Sequence, residues 1–356
     1  MKTIGLNATG WVIEFLDQYQ AWKDYTNFSQ PTEQLVDIKK SITGIPCFVY
    51  TDIDAINRCD SPIVAIDCMW EGQHAAFCFQ QYRTDKHYII FANEGHYSRK
   101  EMNLPINYTW ITYYYFLFNI VKSYHDPWHV CFYHHNEYKF NDPKLLRFVS
   151  TVGVTRPPRT YLKDRLLERV NYKNYIFKYS GVDYGMSSDQ TDVVKFVDDK
   201  FNPYRPRPGL EKYNYSLSNT LPMQMYNRAN FNLVVETDIN YQHGFLPSEK
   251  SIKCLTTGMP FVIVATPNFL KHLKELGFHT YCEHWDESYD NELDYAKRID
   301  KIVDLCNNLD KFDWQANQSA LELIALKNRS NFLNLNRVIN KSFQQFEQAI
   351  LELNIT

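Results

Sequence analysis

The spacing of hydrophobic positions changes along this chain, and the changes divide it into elements. Trp11, Val12, Phe15, Leu16, Tyr19 and Trp22 recur at helical intervals and predict a helix. Short apolar runs of strand length follow at 46–50, 62–68, 87–91 and 129–133, with helix-compatible segments at 73–82 and 109–124. Such alternation predicts an α/β layer around a largely parallel sheet.

A second series begins with a strand at 147–154, closed by Pro157-Pro158 ahead of a helix at 161–170. A strand at 174–179 comes next, and the polar, proline-bearing stretch 187–209 reads as a surface excursion. The pattern then resumes as helix 222–230, strand 231–235, helix 248–257, strand 261–265 and helix 267–276. Three amphipathic segments, 292–309, 314–326 and 338–353, predict terminal helices. The expected organisation is an N-terminal α/β domain at 1–146, a Rossmann-like domain at 147–335, and a helix at 336–356 that packs back on the domains. The most apolar stretch, 110–121, is shorter than the roughly 20 residues of a membrane-spanning helix and reads as buried core.

Composition supports this picture and narrows the partners. A chain of 356 residues is long for one hydrophobic core, and 44% hydrophobic with 22% charged residues predicts little disorder. Tyrosine and phenylalanine are abundant, at 26 and 23, and tyrosine suits pocket walls because it joins an apolar body to a polar tip. The net charge of −3 disfavours nucleic acid as the default partner, since such binding rests on Lys and Arg clusters. Cys47, Cys59, Cys68, Cys78, Cys131, Cys254, Cys282 and Cys306 show no metal-ligand spacing, which points to reduced thiols and a cytoplasmic protein. The start, Met1 to Asn7, lacks the apolar core of a secretory signal.

The candidate chemistry centres on a strand that ends Val235-Glu236-Thr237, a loop, and a helix opening with Ser248-Glu249-Lys250. In open α/β sheets ligands bind beyond the carboxyl ends of strands, so Glu236 and Ser248 to Lys250 are expected at one crevice. Ser248 is a good N-cap, and the N–H groups of the helix start suit a phosphate, with Lys250 adding positive charge.

This segment resembles the donor-binding region of the GDP-fucose-dependent fucosyltransferases, in which an apolar strand ending Phe-Glu-Asn precedes a loop and Thr-Glu-Lys opening a helix. Thr237 and Ser248 depart from that pattern. The resemblance covers about residues 147 to 270 and implies that Glu249 and Lys250 contact a nucleotide-sugar. It also implies an arginine near the donor phosphates, for which Arg156 and Arg159 in Thr155-Arg156-Pro157-Pro158-Arg159 are the candidates.

Other signals compete. Asp52-Ile53-Asp54 after an apolar run is how another glycosyltransferase architecture holds a divalent cation, although so short a motif arises readily by chance. His125, His129, His134 and His135 cluster closely, but Pro127 interrupts a helical ligand pair and aromatic packing explains them better. Glu94, at the end of a strand and followed by Gly95-His96, is the first candidate for a catalytic base, with His96 and Asp67 as alternatives.

The combined expectation is a GT-B-like pair of Rossmann-like domains facing a cleft, carrying out inverting, metal-independent sugar transfer to a hydroxyl acceptor. The nucleoside-diphosphate sugar is the co-substrate and no separate cofactor is expected. Arg156, Arg159 and Lys250 would balance the diphosphate, Glu249 would hold hydroxyls, Glu236 would line the pocket near the anomeric centre, and Glu94 would take the proton. The alternatives are sugar transfer to a modified nucleic-acid base, which needs a local basic cleft, and a catalytically silent binding protein that keeps the fold.

Overall fold

The computed structural model describes residues 45–68, 77–92, 104–112, 137–153, 155–171, 174–179, 182–184, 223–237, 239, 245–333 and 336–353. The chain divides into two units, Met1–Phe118 with Asn336–Thr356, and Asn119–Leu335. The expected helix near 11–22, the strand at 129–133, the excursion at 187–209 and residues 73–76 lie outside the described residues. So do the four clustered histidines.

In the first unit, β1 (Cys47–Val49), a short helix α1 (Ile53–Arg58), β2 (Ile63–Cys68), β3 (His87–Ala92) and β4 (Asn107–Thr112) follow in order. The four strands pair in parallel and lie side by side in chain order. Every residue of β2 and β3 after the first is buried, as expected of parallel strands covered on both faces. One face packs Val64, Ile66, Tyr88, Ile90 and Tyr108 against Ile56, Phe79 and Tyr82. On the other, Phe91 meets Phe346 of the C-terminal helix Asn336–Glu352, with ring centroids 5.9 Å apart.

One element differs in kind from its expectation. Residues 109–112, read as the start of a helix, belong to strand β4. Thr109, Trp110, Ile111 and Thr112 are β-branched or aromatic, and a pleated surface accommodates them better than a helix does.

The second unit contains β5 (Leu146–Val152), α2 (Pro157–Arg169), β6 (Ile176–Tyr179), β7 (Val182–Tyr184), α3 (Met223–Asn227), β8 (Ala229–Val235), α4 (Glu249–Thr257) and β9 (Phe261–Val264). After these come α5 (Phe269–Glu275), a 3₁₀ turn at Ser288–Asn291, α6 (Tyr295–Leu309) and α7 (Trp314–Leu333). The sheet order is β7-β6-β5-β8-β9, parallel throughout except for the β6–β7 pair. From β5 the chain steps to β6 on one side, then returns to place β8 on the other. Right-handed crossovers in opposite directions put α2 and α4 on opposite faces.

Each of these helices has a partner. Helix α2 packs on α6, where Arg165 Nε donates to Asp300 Oδ1 at 2.8 Å. Helix α4 packs on α7, and Gly258 permits that approach: its φ is +78°, and a Cβ there would lie 2.8 Å from the Cβ of Ala325.

The unit begins earlier than the expected boundary after residue 146. Tyr138 is tied into the unit, because its N–H donates to Thr257 O at 2.8 Å and its hydroxyl to Ala229 O at 2.6 Å. These bonds join residues far apart in sequence, so no local pattern reveals them. The protein is thus a mixed α/β chain with two largely parallel sheets, compatible with Rossmann-like domains. Among the described residues no helix is long and apolar enough to cross a membrane.

Candidate functional site

The reversal of strand order between β5 and β8 is where an open α/β sheet parts its loops and leaves a crevice at the carboxyl ends of its strands. The loop after β5 leads into Arg156 and the first turn of α2; the loop after β8 begins with Glu236. Most of the expected donor residues therefore meet at this end of the sheet.

Their bonds form one connected cluster. Buried Arg159 donates through Nη2 to the carbonyl of Glu236 at 2.9 Å, with Nε at 3.3 Å from the same oxygen. The Glu236 side chain is only 1% exposed, and its Oε1 accepts from the N–H groups of Ser248 and Ser251 at 3.2 and 3.3 Å. Its Oε2 accepts from the Ser248 hydroxyl. Ser248 is the N-cap of α4, as its residue type predicts, and its Oγ accepts from the Lys250 N–H at 3.2 Å.

Two sequence expectations change in consequence. Glu236 is turned onto the start of α4 instead of toward solvent. The N–H groups of Ser248, Lys250 and Ser251, expected to face a phosphate, are bonded within the protein. A carboxylate suits the positive end of a helix, and a buried one must find donors, so both requirements are met inside the fold. The start of α2 contributes few donors either, since Pro157 and Pro158 occupy its first positions and carry no N–H.

What the cluster presents to a ligand is therefore side-chain charge. The Lys250 ammonium lies 2.8 Å from Glu249 Oε1, 3.2 Å from Ser248 Oγ and 3.5 Å from Thr237 Oγ1. Burial would raise the pKa of Glu249, but Lys250 and Lys253 beside it hold its carboxyl below the usual range. Arg156 stands at the N-cap position of α2 with an exposed side chain. Lys250 and Glu249 remain partly accessible, so Lys250 and Arg156 can meet an anion while the Glu249 carboxylate can accept from hydroxyls.

Several groups here had no motif to announce them. Lys253, one turn beyond Glu249, is buried, and burial lowers its ammonium to about 8 against the pull of Glu249. The signal available was a lysine inside the run Ser251 to Thr257, every residue of which is buried. Asp290 plays for α5 the part that Glu236 plays for α4: its carboxylate accepts from Leu270 N–H at 2.9 Å and Lys271 N–H at 3.1 Å. Burial raises the Asp290 pKa, although those two bonds oppose the rise. Arg298, in the first turns of α6, is 1% exposed and donates to the carbonyls of Glu292 and Ile239.

The other candidates lie elsewhere. Glu94 and His96 are outside the described residues, two and four positions beyond the last residue of β3, Ala92. Asp67 is buried in β2, and its carbonyl accepts from Tyr50 N–H at 3.1 Å. Asp52 and Asp54 are exposed at the N-cap and first turn of α1. Among the described residues no three His, Cys, Asp or Glu side chains gather as a metal site. Set against known proteins, the sequence matches no family model and no curated protein.

Proposed function

We propose that the second unit binds a nucleoside-diphosphate sugar and that the protein transfers the sugar, with inversion and without an obligatory metal, to a hydroxyl acceptor. The observation that supports this most is the position of Lys250 and Arg156 around the reversal between β5 and β8, where a diphosphate would meet cationic side chains. In this reading Lys250 and Arg156 balance the diphosphate and Glu249 accepts from ribose or sugar hydroxyls. Arg159, Glu236 and Ser248 form the frame that holds them.

Glu94 is the proposed base, taking the acceptor's proton as its oxygen attacks the anomeric carbon, with His96 and Asp67 as alternatives. A GT-B-like architecture and a glycan or other hydroxyl acceptor belong to the same proposal. Donor hydrolysis in the presence of excess EDTA tests it. Turnover that survives chelation is expected; loss restored by manganese and abolished in Asp52→Asn would transfer the assignment to a metal-dependent enzyme.

The silent-scaffold reading also has an observation in its favour. Glu236 already caps α4, and Lys250 is already paired with Glu249, so the anion-binding features are partly neutralised from within. Absence of both hydrolysis and transfer across a panel of nucleotide-sugars, with nucleotide binding intact, would select it.

A further inference from the structure

Arg298 is among the largest fully buried side chains of the described residues, and no motif or resemblance points to it. Its guanidinium spans two segments, donating through Nη1 to the Glu292 carbonyl just before α6 and through Nη2 to the Ile239 carbonyl just after β8. Nε is buried without a hydrogen-bond partner, and the side chain forms no ion pair among the described residues. A fully desolvated cation placed on two carbonyls is costly, so a fold that keeps it has a use for the connection.

The connection leads to the candidate site. Ile239 is itself 1% exposed and lies two residues beyond Thr237, whose hydroxyl is 3.5 Å from the Lys250 ammonium. On the upstream side, Arg159 holds the Glu236 carbonyl at 2.9 Å. The backbone leaving β8 is thus pinned at Glu236 and at Ile239, with Thr237 between the two pins. A planar, forked guanidinium suits such a bridge, whereas a lysine ammonium lacks the fork.

We propose that Arg298 is a positioning residue: by holding the carbonyl of Ile239 it fixes Thr237, and through Thr237 the ammonium of Lys250. The consequence for a nucleoside diphosphate rests on the donor reading above; the tether itself does not. Two measurements on the full chain separate them.

The first is the rate at which acetic anhydride acetylates Lys250, read by mass spectrometry with Lys163 as internal reference. Arg298→Met should raise the Lys250 rate at least about threefold, by freeing the segment that holds it. The second is a double-mutant cycle on GDP and UDP binding. Arg298→Met should weaken binding about tenfold in the wild-type background, the scale of one charged hydrogen bond, and less than about twofold beside Lys250→Ala. A merely structural role for Arg298 gives equal losses in both backgrounds.

Unchanged Lys250 acetylation, or equal losses, overturns the proposal. If the wild type binds neither nucleotide, the donor reading falls and the acetylation rates still decide the tether. Circular dichroism verifies folding, and Arg298→Lys, which keeps the charge without the fork, carries both measurements should Arg298→Met fail to fold. It is expected to behave as Arg298→Met does.

Discussion

The sheets of the two units share short, well-buried parallel strands, but they differ in how the strands are ordered. The first sheet runs β1-β2-β3-β4 in chain order, so its described crossovers all step the same way. The second runs β7-β6-β5-β8-β9 and reverses beside β5. A sheet that steps one way has no place among its described strands where neighbouring loops part; a reversal makes one. The contrast extends to polar groups. The interior of the first sheet is almost wholly apolar, whereas the carboxyl end of the second gathers Arg159, Glu236 and Ser248 in buried bonds. Strand order, more than strand composition, separates the first sheet from the one that carries the proposed nucleotide site.

The largest expected effect breaks the polar frame of the second sheet. Glu236→Ala leaves the N–H groups of Ser248 and Ser251 without their buried acceptor and should cost on the order of 3–5 kcal/mol in urea unfolding followed by circular dichroism. A loss under about 1 kcal/mol would mean that water replaces the carboxylate and that the frame is not what orders the start of α4.

A change in the first sheet should be nearly as costly but silent at the site. Ile90, fully buried in β3, becomes a cavity in Ile90→Ala, with an expected loss of about 2–4 kcal/mol. Nucleoside-diphosphate affinity, measured well below the unfolding transition, should stay within about twofold of the wild type. An affinity that falls in step with stability would erase the contrast between the two sheets.

The smallest effect concerns the buried lysine of α4. The Lys253 pKa falls from 10.5 to about 8 in the fold, so below pH 8 the folded state holds a charge that burial disfavours. Between about 8 and 10.5 the unfolded chain binds the extra proton, and this penalty fades as pH rises. Lys253→Met should therefore stabilise by about 1–3 kcal/mol at pH 7, with the advantage shrinking toward pH 10. Paired urea titrations of wild type and variant at pH 7 and pH 9.5 measure it. A constant difference would place the cost of Lys253 in packing instead of charge.

Much of the second sheet was legible from the chain because local signals agreed. Residues 231–235 are apolar except for Asn232, and strand β8 contains all of them. Ser248 followed by Glu249 marks a helix start, and α4 begins there. Shorter elements escaped: the three residues of β7 and the six of α1 are too few to show a period. In the first unit, Tyr108 to Thr112 fit two periods, and the β-branched Thr109, Ile111 and Thr112 decide for the strand. The site divided in the same manner. Its residue types could be named, but Glu236 reaches Ser248 across 12 positions, and Arg298 reaches Ile239 across 59. Pairings at that range depend on strand order, which no local pattern encodes.

The account's central claim, that the reversal between β5 and β8 holds a diphosphate, is tested most directly by calorimetric titration of the full chain with GDP, UDP, ADP and CDP, beside the same titrations of Lys250→Ala. Binding of at least one nucleotide by the wild type is expected, weakened in the variant by about 1.5–3 kcal/mol, the range for a hydrogen bond to a charged group. No binding of any of the four at millimolar concentration, or equal binding by wild type and Lys250→Ala, would contradict it.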